Sequence, residues 1–296
     1  MIKKAYIVIL LLLAGLPLQA QVDSVAAAFK YMQNAELDKA KIAIDAAVTH
    51  EETSASSQTW YVRGFIYKEI YKKQEIGNKT SPARMESLES FKRSVQLDTT
   101  NEQDNKPNIK YLAASFFNDA ASVLLIDTLP IESYSNAISN YEKYKEAMLF
   151  VDPNSNFIAN DIYITLSLAN VYYKIYDRNR VENEIFFEQA KQLYVKALRL
   201  DPNNESANYH LAILYYNKAV NIIKDLDYDM DMLALMEIQE KTVEIFRQSL
   251  PFMEKAYQLN PQKKQTLIGL MGIYYSLNDN TKSTEIKAKL DSLENK

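Results

Sequence analysis

Apolar residues recur at helical intervals of three and four from Val22 to the carboxyl terminus of the 296-residue chain. No sustained alternation of apolar and polar residues, bounded by turn residues, interrupts this pattern. A period near 3.6 predicts amphipathic helices, whereas strands would show a period of two. The sequence therefore predicts an all-α fold.

Prolines divide this helical pattern into segments. Proline is tolerated in the first turn of a helix and opposed in its interior, so we expect most of them at helix starts or connections. Pro251 differs because it falls inside the apolar stretch Phe246 to Leu259, where it should kink or divide a helix. The prolines expected at starts or connections are Pro82, Pro107, Pro130, Pro153, Pro202 and Pro261.

Small, aromatic and leucine residues return at matching places in successive segments. The clearest second helix reads Ala190-x3-Tyr194-x2-Ala197 and is followed by Pro202. Related second helices begin at Ala40, Ser87, Ala137 and Ser249, and related first helices carry Trp60-x2-Arg63-Gly64-x2-Tyr67, Leu112-Ala113-x2-Phe116, Leu168-Ala169-x2-Tyr172, Leu211-Ala212-x2-Tyr215 and Leu270-Met271-x2-Tyr274. This pattern resembles the tetratricopeptide repeat (TPR), a two-helix unit with W-x2-L-G-x2-Y, then A-x3-F, then a closing proline.

The resemblance predicts a TPR-like α-solenoid of about six helical pairs in one domain, residues 21–296. The approximate pairs are 22–54, 55–101, 107–153, 156–203, 205–262 and 264–294. Pro153 and Pro202 are 49 residues apart and Pro202 and Pro261 are 59 apart, against the TPR period of about 34. We expect the excess to lengthen helices and connections near 177–185 and 221–240.

A solenoid of this kind implies a concave groove lined by the first helices of the pairs. Its tyrosines suit peptide or protein contacts, because each offers a broad apolar face and one hydroxyl. The sequence leaves open whether they contact a ligand or one another. The tyrosines at repeat packing positions, Tyr67, Tyr172, Tyr194, Tyr215 and Tyr274, are expected in the core. The residues predicted on the inner surface are Gln58, Tyr61, Phe65, Tyr163, Leu166, Asn170, Tyr173, Tyr209, Ile213, Tyr216, Asn217, Ile268 and Tyr275.

TPR domains that bind a carboxyl-terminal carboxylate carry lysine and asparagine four residues apart on one first helix. No corresponding pair here has both: they are Tyr61/Phe65, Lys110/Ala114, Leu166/Asn170, Tyr209/Ile213 and Ile268/Gly272. A groove that recognises apolar or aromatic features is therefore favoured.

The amino terminus has the order of a secretory signal peptide. Lys3 and Lys4 precede the apolar run Ala5 to Leu16, and Ala20 supplies a small residue for cleavage. We predict removal of residues 1–20, which changes the formal net charge from -4 to -6 because only the two lysines are lost. With no cysteine for a lipid and no later long apolar stretch, we expect an exported, periplasmic or secreted protein without a lipid anchor or membrane segment.

The composition disfavours most catalytic and cofactor chemistry. The chain has no cysteine, five glycines and two histidines, His50 and His210, which lie far apart. The carboxylates at Asp225, Asp227, Asp229 and Asp231 suggest calcium, but glycine and glutamate are missing where an EF-hand loop needs them. We therefore expect no cofactor and no metal site. The segment is expected to be a solvated acidic connection between two helices, with Asp229 or Asp231 as a helix cap.

Two functions from different classes remain. The first is a non-catalytic scaffold, similar to exported TPR proteins of Gram-negative bacteria, that binds a protein or peptide partner in the cell envelope and no nucleic acid. The second is a periplasmic protein that binds a small ligand or glycan through its inner tyrosines. An enzyme is not expected. The polar segment Thr281–Lys296 is expected to cap the last pair.

Overall fold

The computed structural model describes the backbone of residues 16–227 and 229–294 and, within those ranges, the side chains from Ser24 onward. Most of the predicted signal peptide lies outside these residues, and its cleavage after Ala20 stays a prediction. The described residues form thirteen α-helices and no strand. The helices are α1 Leu16–Gln33, α2 Leu37–Ala47, α3 Glu51–Ser54, α4 Ser57–Ile70, α5 Pro82–Leu97, α6 Glu102–Val123, α7 Ile131–Val151, α8 Ile158–Arg178, α9 Glu184–Leu200, α10 Glu205–Lys224, α11 Met232–Leu259, α12 Lys264–Ser276 and α13 Asn280–Glu294.

Consecutive helices pack as six pairs: α1/α2, α4/α5, α6/α7, α8/α9, α10/α11 and α12/α13. The all-α, TPR-like fold of helical pairs predicted from the sequence is confirmed. The chain forms two compact units. Unit 1 covers the described residues of Met1–Val123 and Ile131–Ser155, and unit 2 those of Leu124–Pro130 and Asn156–Lys296.

In unit 1, the pair α4/α5 shows why a glycine stands at this position of its first helix. Phe91 of α5 is fully buried, and a Cβ built on Gly64 of α4 would lie 2.7 Å from its ring carbons. The hydroxyl of Ser87 donates a hydrogen bond of 2.8 Å to the carbonyl oxygen of Gly64. Glycine therefore lets the two helices approach closely enough for the ring to pack directly against backbone.

The pair α10/α11 of unit 2 repeats this contact at the aligned positions. Ser249 of α11 donates a hydrogen bond of 2.8 Å to the carbonyl oxygen of Ala212 on α10. Met253 occupies the place of the aromatic residue and is fully buried. Residues that the repeat alignment treats as equivalent thus make the same hydrogen bond in both pairs.

A second contact occurs once in each unit and joins a pair to the one before it. The hydroxyl of Tyr67 lies 2.7 and 2.9 Å from the carboxylate oxygens of Asp45 on α2. In unit 2, the hydroxyl of Tyr274 donates to Glu254 of α11 at 2.6 Å. Tyr67, Tyr194 and Tyr274 are buried, as predicted, while Tyr172 and Tyr215 pack half-buried on the core of unit 2.

The prediction was wrong for Pro107, which lies inside α6 rather than at a helix start. The turn Thr99–Asn101, capped by Asp98, begins the helical path upstream of the proline. Proline has no N–H to donate to the carbonyl oxygen of Gln103, four residues earlier in the helix. Both residues are exposed, so water can replace the missing hydrogen bond. Pro251 is likewise exposed, and α11 continues through it undivided.

Much of the excess length between pairs lies in α11, which has 28 residues and is paired with the 20-residue α10. The acidic connection joins these helices, and Asp231 caps α11 by accepting from the backbone N–H of Ala234 at 2.9 Å. Among the described residues, no helix combines the length and apolarity needed to span a bilayer.

Candidate functional site

Five of the predicted groove residues meet in one cavity of unit 2, with a volume of about 430 Å³. They come from two first helices, α8 and α10, which the repeat places in neighbouring pairs. The five are Asn170, Tyr173, Tyr209, Ile213 and Asn217. The remaining lining residues are Leu124, Leu125, Ser167, Lys174 and His210.

Two hydrogen bonds fix the amide side chains of this cavity. The amide nitrogen of Asn217 donates to the hydroxyl of Tyr173 at 2.6 Å, which joins α10 to α8. The hydroxyl of the buried Tyr194 donates to the amide oxygen of Asn170 at 2.7 Å. Each amide therefore uses one polar atom within the protein and keeps one, a donor on Asn170 and an acceptor on Asn217.

His210 forms an aromatic part of the cavity wall. Its ring stacks on Tyr194 with 5.9 Å between ring centroids and an interplanar angle of 9°, and Tyr209 meets it edge-on at 5.2 Å. Burial and the charge of Lys263 lower the pKa of His210, while Glu205 opposes them. The imidazole is thus neutral at neutral pH and behaves as an aromatic, hydrogen-bonding surface.

The cavity tyrosines are also neutral at neutral pH. Burial raises the pKa of Tyr173, with Asp177 and Tyr209 adding to the rise and the hydrogen bond from Asn217 opposing it. Burial, and then the charge of Glu205, raises the pKa of Tyr209. Lys263 lies 4.6 Å above the Tyr209 ring and pairs with Glu205 at 3.0 Å. The wall therefore presents phenol hydroxyls, amides and apolar faces.

Sequence reasoning missed two leucines of the cavity lining. Leu124 and Leu125 follow α6 in the chain, yet their segment belongs to unit 2. In the same segment, Asp127 pairs with Lys174 of α8 at 3.1 Å and also with Arg178. Lys174 could have been found, because it holds the same repeat position as Asn217, but nothing in the local sequence identifies the two leucines.

Five further residues of unit 2 that were predicted on the inner surface lie outside the cavity lining. Two of them are Leu166, which is buried in the core of unit 2, and Ile268, which is 52% exposed. Tyr163 on α8 and Tyr275 on α12 are 43% and 71% exposed. Tyr216 on α10 packs against Phe246, with 5.6 Å between ring centroids, and its hydroxyl lies 2.7 Å from the position of a Cβ on Gly272. Tyr216 thus acts in packing between helical pairs.

Three residues of unit 1 were predicted on the inner surface, and two of them, Tyr61 and Phe65, form an aromatic cluster with the core. Tyr61 and Phe65 on α4 are half-buried, and their ring centroids are 4.9 Å apart. Both also meet Phe91 edge-on, at 6.1 and 5.3 Å. Gln58 lines a separate cavity of about 430 Å³ between α1 and α4. The assignment of Tyr61 and Phe65 to a binding groove stays a prediction.

The cavity of α8 and α10 can recognise a ligand through shape, aromatic faces and a few hydrogen bonds. Its lysine is already paired with Asp127, and the histidine sits among aromatic rings. Across the described part of the chain, no group of three or more His, Asp or Glu residues has the arrangement of a metal site.

No known family model and no curated protein sequence matches the chain. Among solved structures, it is similar to PilF of Pseudomonas aeruginosa, with 14% identity, a TM-score of 0.33 and coverage of 93% of this chain and 92% of that one. It is similar to PilW, a type IV pilus biogenesis factor, with 14% identity, a TM-score of 0.31 and 93% coverage of both chains. It also resembles the human IFIT1 dimer with m7Gppp-AAAA, with 14% identity, a TM-score of 0.34 and coverage of 86% of this chain but 46% of IFIT1. The chain thus spans about half the length of IFIT1, and similarity at these levels establishes neither a shared family nor a shared function.

Proposed function

We propose that this chain is an exported, non-catalytic interaction scaffold that binds a protein or peptide segment in the groove between α8 and α10. The observation that carries the proposal is the cavity shared by Asn170, Tyr173, Tyr209, Ile213 and Asn217. Export to the periplasm or beyond, in a Gram-negative cell envelope, rests on the signal-peptide order of residues 1–20.

The polar atoms of the cavity support an extended peptide as ligand. The amide of Asn170 keeps a donor and that of Asn217 keeps an acceptor. The backbone of an extended peptide carries carbonyl and N–H groups of the matching kinds, so both amides can be satisfied by backbone. Tyr209 and Ile213 add an apolar wall for side chains, which suits recognition of an apolar or aromatic residue rather than a charged terminus.

A small-ligand or glycan function is the second candidate, because aromatic and amide side chains converge in the same cavity. A volume of about 430 Å³ is within the range of small-molecule sites. Neutral hydroxyl and amide groups also suit sugar hydroxyls. The two candidates differ in ligand size, and the experiment below separates them.

The test places a photo-crosslinking amino acid at position 213 in the cavity, in cells that express the full chain. The matched control places it at Ile42, an exposed residue of α2 in unit 1. We expect a defined protein adduct from position 213 that is lost in Tyr209→Ala/Asn217→Ala and absent from position 42. Tyr209 and Asn217 are half-buried and line the cavity, so helicity should be retained.

Two results would contradict the scaffold proposal. Identical adducts from both positions would show non-specific capture. No protein adduct, together with saturable binding of one glycan that Tyr209→Ala/Asn217→Ala abolishes, would instead support the second candidate.

A further inference from the structure

The amino-terminal part of α11 extends beyond the packed body of its pair. The first buried residue of α11 is Thr242. The ten residues before it, Met232 to Lys241, are helical, but none of them is buried. We call Met232–Lys241 the α11 overhang. Its partner α10 ends at Lys224, and the acidic connection separates the two helices.

This overhang is apolar where a solvent-exposed helix would be polar. Met232, Leu233, Leu235 and Met236 are 73%, 75%, 42% and 59% exposed. They fall on more than one side of the helix, so the core of unit 2 cannot cover them all. Adjacent exposed apolar residues of this kind mark interaction sites.

The charge around the overhang restricts what can cover it. Residues 224–241 contain six carboxylates, at positions 225, 227, 229, 231, 237 and 240, against two lysines, Lys224 and Lys241. The net charge of this segment is therefore -4, the same as that of the whole chain. A second copy docked through the same surface would bring two such segments together, and an anionic lipid surface would be repelled in the same way.

We propose that the α11 overhang and the carboxylates of Asp225, Asp227, Asp229 and Asp231 before it form a docking surface for an amphipathic, basic helix of a partner protein. Apolar residues of that helix pack on Leu233 and Met236, three residues apart on one face. Its lysine or arginine residues reach Glu237 and Glu240, one turn further along the same face. Methionine side chains adapt to irregular partners, which favours this use. The surface does not depend on the cavity between α8 and α10.

The test measures binding of a fluorescein-labelled amphipathic leucine–lysine peptide of about four helical turns to the full chain by anisotropy. The comparison peptide keeps every leucine and replaces each lysine with glutamate. Variant Leu233→Gln/Met236→Gln removes the apolar contact, and Ile42→Gln is the matched control at a residue that is 72% exposed on α2. Both positions of the test variant are exposed, so circular dichroism should show unchanged helicity.

We expect saturable binding of the leucine–lysine peptide that weakens about tenfold or more in Leu233→Gln/Met236→Gln, since two apolar contacts are lost. Ile42→Gln should bind like the unmodified chain. Asp227→Asn/Asp229→Asn, which leaves the cap at Asp231 intact, should bind more weakly at roughly 50 mM salt and differ little at roughly 500 mM.

Several results would overturn the proposal. They include no saturable binding, equal affinity for the glutamate peptide, and affinity unchanged by Leu233→Gln/Met236→Gln. Self-association in sedimentation velocity that this variant abolishes would assign the surface to a second copy. Co-sedimentation with phosphatidylcholine vesicles that the variant abolishes would assign it to a membrane.

Discussion

The side chain of Arg84 is fully buried in unit 1, so its charge makes the stability of that unit sensitive to one carboxylate. Its guanidinium donates to Asp119 at 2.6 Å and to the carbonyl oxygen of Lys79 at 2.7 Å, and it lies 3.9 Å above the ring of Phe116. The other oxygen of Asp119 pairs with the Lys79 ammonium at 2.7 Å. Removing the carboxylate would leave a buried guanidinium without a counter-charge.

We expect Asp119→Leu to lower the free energy of unfolding by about 3–5 kcal/mol, the cost of breaking a buried ion pair from one side. Arg84→Met should lower the free energy of unfolding by less, because Asp119 keeps its ion pair with Lys79 and its side chain is 11% exposed. The double variant Arg84→Met/Asp119→Leu should lose less stability than the two single variants together, and this difference, the coupling energy of the pair, should be about 0.5–3 kcal/mol. The reason is that the double variant has no buried guanidinium, so no buried charge is left without a counter-charge.

The assay is urea unfolding followed by tryptophan fluorescence. Trp60 is the single tryptophan of the chain and lies on α4, so its signal reports unit 1 alone. Lys72→Met is the control, because Lys72 pairs with Glu69 at the surface and its loss should cost about 1 kcal/mol or less. Asp119→Leu costing less than this control, or strictly additive single effects, would refute the reasoning.

Three further predictions concern packing, protonation and the end of the chain. Gly64→Ala should destabilise unit 1 by about 1–3 kcal/mol in the same assay, because the added methyl group overpacks against the buried ring of Phe91. Gly77→Ala is the control and should be neutral or slightly stabilising, since nothing lies within 4 Å of its Cβ position. Equal urea midpoints for the two variants would contradict this prediction. Because burial lowers the folded-state pKa of His210 below an unfolded value of about 6.5, the unfolded chain binds the extra proton, and stability should fall as pH falls through about 6.5. Thermal melts between about pH 5 and 7 should show a shallower dependence of stability on pH in His210→Phe than in the unmodified chain, and identical slopes in the two proteins would argue against it. Truncation after Asn280 removes nearly all of α13 and should cause aggregation or loss of cooperative unfolding, and a melt like that of the full chain would disprove the capping role.

The repeat pattern predicted the helical pairs because each pair buries the same kinds of side chain at the same spacing. Ser87 and Ser249, aligned from the sequence alone, both donate to a first-helix carbonyl. Pro107 was placed wrongly because proline preference is local, while the upstream turn and cap fix where α6 begins.

The candidate site was predictable only in part. The sequence placed Asn170 and Asn217 on the inner surface of successive first helices, and the cavity contains both. It gave no information on Leu124 and Leu125, whose position depends on how a connection folds back onto α8. It also could not show that Tyr216 packs between helical pairs, because aromatic residues at groove positions pack wherever a neighbour leaves room, as Gly272 does.

The sequence by itself determined the all-α class, the helical pairs and the residues that pack within each pair, because these follow from short-range periodicity and side-chain size. Only the tertiary structure decided which groove residues share a cavity and which arginine is buried with its carboxylate. It also decided that the first ten residues of α11 extend beyond the packed part of its pair. Those features depend on contacts between residues distant in the chain, such as Arg84 with Asp119, and local pattern does not fix their geometry.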